Sequence, residues 1–230
     1  PYPGHRKIVR HFPLPAGKST MKMTNRWNRF IYRLWAPIYD ATVNNSFLPG
    51  CKKALEMLDL QPGERVLLVG VGSGADLSLL PEGVEATGID ISPDMLARLR
   101  SKLPFPGRSV TLIEGDAQSL LVDRTSFDAI IFHLILSVIP EATACFQENL
   151  RALKPDGRAV VFDKFLPDDG KLTLGRRFMN IFSTLLGTDI TRRFGEMVSG
   201  SGWEVVREEA SILHGTYRVI LLKRGSIMRG

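Results

Sequence analysis

Residues 66–77, VLLVGVGSGADL, restrict the possible folds more than any other stretch of the chain. Four consecutive apolar residues, Val66 to Val69, read as a short buried strand, and they run directly into Gly70, Gly72 and Gly74 with a helical pattern after them. Glycines at alternate positions remove the Cβ atoms that would hold a ligand away from the backbone. A helix starting there also turns unpaired N–H groups toward the same space. The next strand-like segment, residues 84–91 (VEATGIDI), places Asp90 sixteen positions after Gly74. In an open α/β sheet, a turn and a carboxylate so spaced lie at the carboxyl ends of neighbouring strands, where a ribose can be gripped. Read as Gly70-x-Gly72-x-x-Ala75, the same residues satisfy the dinucleotide fingerprint, and a tight turn without a ligand is the lesser alternative, because strand, three glycines, helix and acidic strand end occur together. The rest of the chain has to decide.

Alternation continues downstream. A helix with a Ser92-Pro93 start covers 92–102, strands are expected at 109–114 and 126–133, a helix at 141–153 and a strand at 157–163. Five strands interleaved with helices imply a parallel sheet with right-handed crossovers. Two further strands, 203–209 and 216–223, are joined by a turn near His214-Gly215 that is too short for a helical crossover, so this pair is antiparallel. The expected architecture is α/β: a seven-stranded, mostly parallel sheet with an antiparallel final strand and helices on both faces. Upstream, a helix at 49–58 leads through a Pro62-Gly63 turn into the first strand.

The organisation around this core is uneven. Residues 1–20 contain four prolines and two glycines and read as an irregular basic arm. Residues 21–60 read as a helical lid. Within it Met23, Trp27, Phe30, Ile31, Leu34 and Ile38 recur at helical spacing, with Lys22, Arg26, Arg29 and Arg33 beside them. Such a helix either packs its apolar side on the core or also touches a membrane. The main domain spans 61–224, an apolar-rich stretch at 170–187 is expected to form a cap helix, and 225–230 is a tail. The net charge of +6 belongs to the start of the chain, because residues 1–40 hold eight Lys/Arg against one acid, Asp40. A basic arm suits nucleic acid, anionic lipid or an acidic ligand. Cys51 and Cys145 provide neither a disulfide framework nor a metal-ligand spacing and fit a reducing cytosol, and the four scattered histidines imply no metal site. No apolar run approaches the roughly 20 residues needed to span a bilayer, and no signal-peptide pattern is seen.

Taken in order, VLLVGVGSG, TGIDISPDMLARLR, EGDAQSL, SFDAIIFHLILSVIP and LKPDGRAVVFDKF resemble the class I S-adenosylmethionine-dependent methyltransferases over about residues 32–224. The resemblance implies a Rossmann-like fold, S-adenosylmethionine as cofactor and S-adenosylhomocysteine as product. It also implies that Gly70, Gly72 and Gly74 flank the methionine part of the cofactor and that Asp90 binds the ribose hydroxyls. Ile91 and Met95 would cover the adenine, Asp116 and Ala117 would meet its amino edge, and His133 would stand beside the sulfonium. The antiparallel final pair separates this pattern from a dehydrogenase sheet. One departure stands out: the family usually carries Asp or Glu where this chain has Leu68, and Asp40 or backbone carbonyls near Gly70 are the expected substitutes.

Within the class, WAPIYD with LKPDG is similar to quinone-biosynthesis C-methyltransferases, whereas YRLWAPIYD with LILSVIPEA is similar to bacterial phosphatidylethanolamine N-methyltransferases. The basic arm and apolar cap suit an amphiphilic acceptor at an anionic membrane surface, and a cytoplasmic protein that works peripherally at the inner face. Tyr32, Tyr39 and His133 are the candidates for orienting an amine or meeting its positive charge. A cofactor-binding module without activity is the alternative from another class, with Leu68 as its argument. Nucleic acid is not an expected partner, since the basic residues lack interleaved stacking aromatics and no nucleic-acid-binding signature is present.

Overall fold

The structure is a computed structural model that describes residues 46–166, 192–212 and 216–225. The basic arm, most of the lid including Tyr32, Tyr39 and Asp40, the segment 170–187, the turn at His214-Gly215 and the tail after residue 225 lie outside the described residues.

Seven strands form one sheet: β1 (Arg65–Val69), β2 (Glu85–Asp90), β3 (Ser109–Glu114), β4 (Phe127–His133), β5 (Leu153–Lys164), β6 (Trp203–Ala210) and β7 (Tyr217–Arg224). Their order is β3-β2-β1-β4-β5-β7-β6, with β7 inserted antiparallel between β5 and β6. Among the described residues the α-helices are α1 (46–58), α2 (Pro93–Lys102), α3 (Ala142–Ala152) and α4 (Phe194–Val198). Chain order reverses between β1 and β4, which pair in parallel, and this opens a crevice beyond their carboxyl ends.

The unbroken apolar run of β1 is explained by burial on both faces. Leu67 and Val69 enter one core with Phe132, Phe146 and Trp203, while Val66 and Leu68 enter the other with Leu58, Leu96 and Phe162. α1 seats closely because Gly50 has no side chain: a Cβ there would lie 2.1–2.8 Å from three atoms of the Phe162 ring. At the far end of the same helix, Arg158 of β5 donates to the carbonyls of Leu58 and Asp59 (both 2.6 Å) and binds Glu64 through both terminal nitrogens (2.8 and 2.9 Å). Two fixed points therefore hold α1 across the sheet.

Two local expectations change. The segment after Gly74 is a five-residue 3₁₀ turn, Ala75–Leu79, in place of a longer helix. Pro81 pushes Leu80 into an extended conformation (φ −62°, ψ 146°) and stops the helix after one turn. β5 begins at Leu153, directly after α3, because Leu153 pairs with Phe127 before the register jumps to Ala129 opposite Arg158. The KPDG residues between form a bulge in the strand.

Candidate active site

The crevice is built by the ends of four strands and the turns that follow them. Gly70 and Gly72 follow β1, Asp90 ends β2, Asp116 and Ala117 follow β3, and His133 ends β4; with Ile91 and Met95 all of them line it. Gly72 has φ +55°, a left-handed conformation that a side chain disfavours. Its N–H donates to Asp90 Oδ2 and the Ser92 N–H donates to Oδ1, both at 2.8 Å. Asp90 thus holds the glycine turn against the start of α2, and each carboxylate oxygen retains a lone pair for a hydroxyl. Burial raises the pKa of Asp90, outweighing the backbone N–H groups of Ser92, Gly72 and Ile91 that lower it. Ser92 caps α2 by accepting from the Met95 N–H at 3.3 Å, which fixes the base of the Met95 side chain.

Gly74 is a correction to the expected glycine set. It is absent from the crevice wall, and a Cβ there would lie 2.2 Å from Leu99 Cδ1, so its role is to let α2 pack under the turn. Asp116 accepts from both the backbone and the side chain of Gln118 (2.9 Å each), and Gln118 Oε1 in turn accepts from the Glu141 N–H at 2.7 Å. Asn149 of α3 donates to the Ala117 carbonyl at 3.3 Å. The turn after β3 is therefore braced from α3, a contact that sequence spacing does not reveal. Asp163 is fully buried and does not line the crevice; its Oδ2 accepts from the Ser137 N–H at 2.9 Å, and burial raises its pKa despite that bond.

The residue that sequence reasoning missed is Asp76. Leu68 is 2% exposed and serves the core, so it adds nothing polar to the site. Asp76, on the 3₁₀ turn, lines the crevice, and its Oδ2 lies 3.0 Å from His133 Nδ1. Burial alone would raise its pKa, but the neighbouring His133, by charge and by hydrogen bond, and the Cys51 thiol bring the balance below the usual value. Burial and the Asp76 carboxylate push the Cys51 thiol well above its ordinary range. The donor atoms of Cys51, Asp76 and His133 lie within 4.8 Å of one another. With the thiol held protonated and the imidazole already closed onto the carboxylate, this is a hydrogen-bonded triad. Its only sequence signal was an acid two positions beyond the third glycine.

The residues present suit a nucleoside bearing a cationic amino acid. A carboxylate ends β2, a turn without a Cβ lies at Gly72, and an anionic Asp76 stands near the Gly70–Gly72 end. Phe47 of α1 adds an aromatic wall, packed on Tyr217 with ring centroids 5.0 Å apart.

Residues 67–161 match the family model described as a methyltransferase domain. The chain is similar to a phosphatidylethanolamine N-methyltransferase of Cereibacter sphaeroides, with 29% identity over 84% of this chain and 95% of the relative. It is also similar to a demethylmenaquinone methyltransferase of Tropheryma whipplei, with 33% identity over 80% of this chain and 72% of the relative. Among solved structures, a chain from the Haloferax volcanii complex of the Trm112 methyltransferase activator with a methyltransferase superposes with a TM-score of 0.71. The identity is 17%, over 88% of this chain and 100% of that one. An S-adenosylmethionine-dependent methyltransferase from Thermotoga maritima gives 0.63 at 19% identity, over 84% and 98%. At such identities the superpositions show the fold alone.

Proposed function

The chain belongs to the S-adenosylmethionine-dependent methyltransferases, and from that premise we propose that it methylates the headgroup amine of a phospholipid, phosphatidylethanolamine, at an anionic membrane surface. The observation that carries the choice of acceptor is the similarity to the Cereibacter sphaeroides lipid N-methyltransferase, which spans nearly all of that relative. The basic start of the chain, eight Lys/Arg against one acid in residues 1–40, supports the membrane setting. No helix among the described residues is long and apolar enough to cross a bilayer, which is compatible with work at the cytoplasmic face.

When bound, the cofactor supplies an activated methyl group with a good leaving group. The protein's work is then to bind, orient and exclude water. In this reading Gly70, Gly72 and Asp90 hold the methionine and ribose parts, Ile91 and Met95 cover the base, and Asp116 and Ala117 meet its edge. His133, Tyr32 and Tyr39 are the residues assigned to the acceptor. Methylation of a quinol ring carbon is the second reading, favoured by the 33% identical relative.

Mass spectrometry of phosphatidylethanolamine vesicles and of a demethylquinol, each incubated with protein and isotopically labelled methyl donor, distinguishes the two. The lipid is expected to gain one to three labelled methyl groups. Label in the quinol alone would overturn the lipid assignment. Pelleting with vesicles should rise with anionic lipid content and fall with salt. Pelleting that survives deletion of residues 1–22 together with neutralisation of Arg26, Arg29 and Arg33 would remove the arm and the basic helix from membrane contact.

A further inference from the structure

We propose that Asp76 and His133 form a proton-accepting dyad for the acceptor amine, with His133 Nε2 as the base and Asp76 as the residue that positions it. The proposal rests on the reading of the acceptor as an amine.

Three observations carry it. First, His133 ends β4 on the crevice wall, and its Nδ1 lies 3.0 Å from Asp76 Oδ2. An ionised carboxylate only accepts, so Nδ1 is the nitrogen that donates. A neutral imidazole held this way carries its free lone pair on Nε2. Second, Nε2 is buried and has no hydrogen-bond partner among the described residues. An orphaned buried acceptor is costly, and such a group calls for a ligand donor to meet it. Third, the ring is fixed in place: Phe162 meets it edge-on at 6.0 Å and 86°, and the Cys51 thiol of α1 binds the same Asp76 carboxylate. Among the described residues, the titratable groups that meet His133 are thus Asp76 on the 3₁₀ turn and, through Asp76, Cys51 on α1, while β5 presents an apolar ring.

The chemistry balances without a further reagent. A primary ammonium reaching the crevice passes one proton to Nε2 and becomes a free amine. Its lone pair forms the new N–C bond as the C–S bond breaks, and the bonding pair leaves with sulfur as a neutral thioether. The imidazolium then returns its proton to solvent. A fixed base is useful at neutral pH because an alkylammonium of pKa about 10 is almost wholly protonated there.

The test compares wild type, Asp76→Asn, Asp76→Glu and His133→Gln on phosphatidylethanolamine vesicles, measuring single-turnover methyl transfer from pH 7 to pH 9.5 beside calorimetric affinity for S-adenosylhomocysteine. His133→Gln and Asp76→Asn are expected to transfer about 100-fold more slowly at pH 7 under saturating methyl donor, and His133→Gln is expected to keep its affinity for S-adenosylhomocysteine within a few-fold of wild type. The deficit should shrink by about tenfold per pH unit as solvent takes over deprotonation, and Asp76→Glu should recover part of the rate. A deficit independent of pH, or none, overturns the dyad while leaving the lipid reading intact, and Asp76→Glu decides the matter if Asp76→Asn fails to fold. Failure of wild type to methylate the lipid overturns both.

Discussion

The two ends of the sheet treat their carboxylates in opposite ways. At the amino end Glu64 is bound by Arg158 and Asp128 by Lys154 (2.6 Å), both partly exposed. At the carboxyl end Asp90 and Asp163 are met by backbone N–H groups, that of Lys164 among them, and Asp76 by a histidine. Arg158 holds the Glu64 pKa below its usual value; at Asp128 burial pushes upward, but Lys154 and the Arg65 N–H prevail and lower it. Burial raises Asp90 and Asp163. The amino end spends its carboxylates on ordinary ion pairs that tie elements together. At Asp76 and Asp90 the carboxyl end keeps lone pairs that a ligand can use, at a cost in desolvation.

The sharpest way to break this contrast is Asp90→Ala. Charge-assisted hydrogen bonds are worth about 1.5–3 kcal/mol each, and the substitution also frees the Gly72 and Ser92 N–H groups, so cofactor affinity by calorimetry should fall at least about 100-fold. Undiminished affinity would mean that the ribose lies elsewhere. Next comes Gly50→Ala, which forces a Cβ into the Phe162 ring and lifts α1 at its crevice end. Denaturant melts should show a loss of about 1–3 kcal/mol, with weaker cofactor binding because Phe47 and Cys51 move with the helix. Arg158→Ala releases the other end of α1. A loss of about 2 kcal/mol is expected with cofactor affinity unchanged, and a change in affinity would show that the two ends are coupled through the helix.

The smallest effect is in the pH dependence, where the ends differ in sign. Glu64 and Asp128, with lowered folded pKa values, contribute stability that is complete above the unfolded carboxylate range of about 4 and is lost as pH falls through the folded values. Asp90 and Asp163, with raised values, bind protons more tightly in the folded state, so stability rises as pH falls from neutrality through those values toward about 4. Thermal melts from pH 7 to pH 4.5 should therefore show less acid stabilisation in Asp163→Asn than in wild type. Cofactor affinity should fall over the same range as Asp90 is protonated. Identical slopes in the two proteins would remove Asp163 from the account.

Local signals determined a large part of this molecule. The VLLV run, the glycines after it and the acid ending the next strand are contiguous, and a strand buried on both faces followed by a tight turn leaves few alternatives, so the sheet, its antiparallel end and the family were legible from residue order. Gly70, Gly72, Asp90, Ile91, Met95, Asp116, Ala117 and His133 do come together on one crevice wall. What the sequence could not convey were contacts that depend on how distant elements settle. Gly74 reads like its neighbours, yet Leu99 occupies the space beside it. The helical pattern after it ends in one 3₁₀ turn because Pro81 follows, and that turn is what carries Asp76 to the crevice. Asp76 meets His133 across 57 positions of sequence, and Cys51 joins them only because a side-chain-free Gly50 lets α1 rest on Phe162. Periodicity reports which face a residue occupies within its own element; the meeting of three polar side chains from three elements is decided by packing between them, to which a short-range pattern is blind.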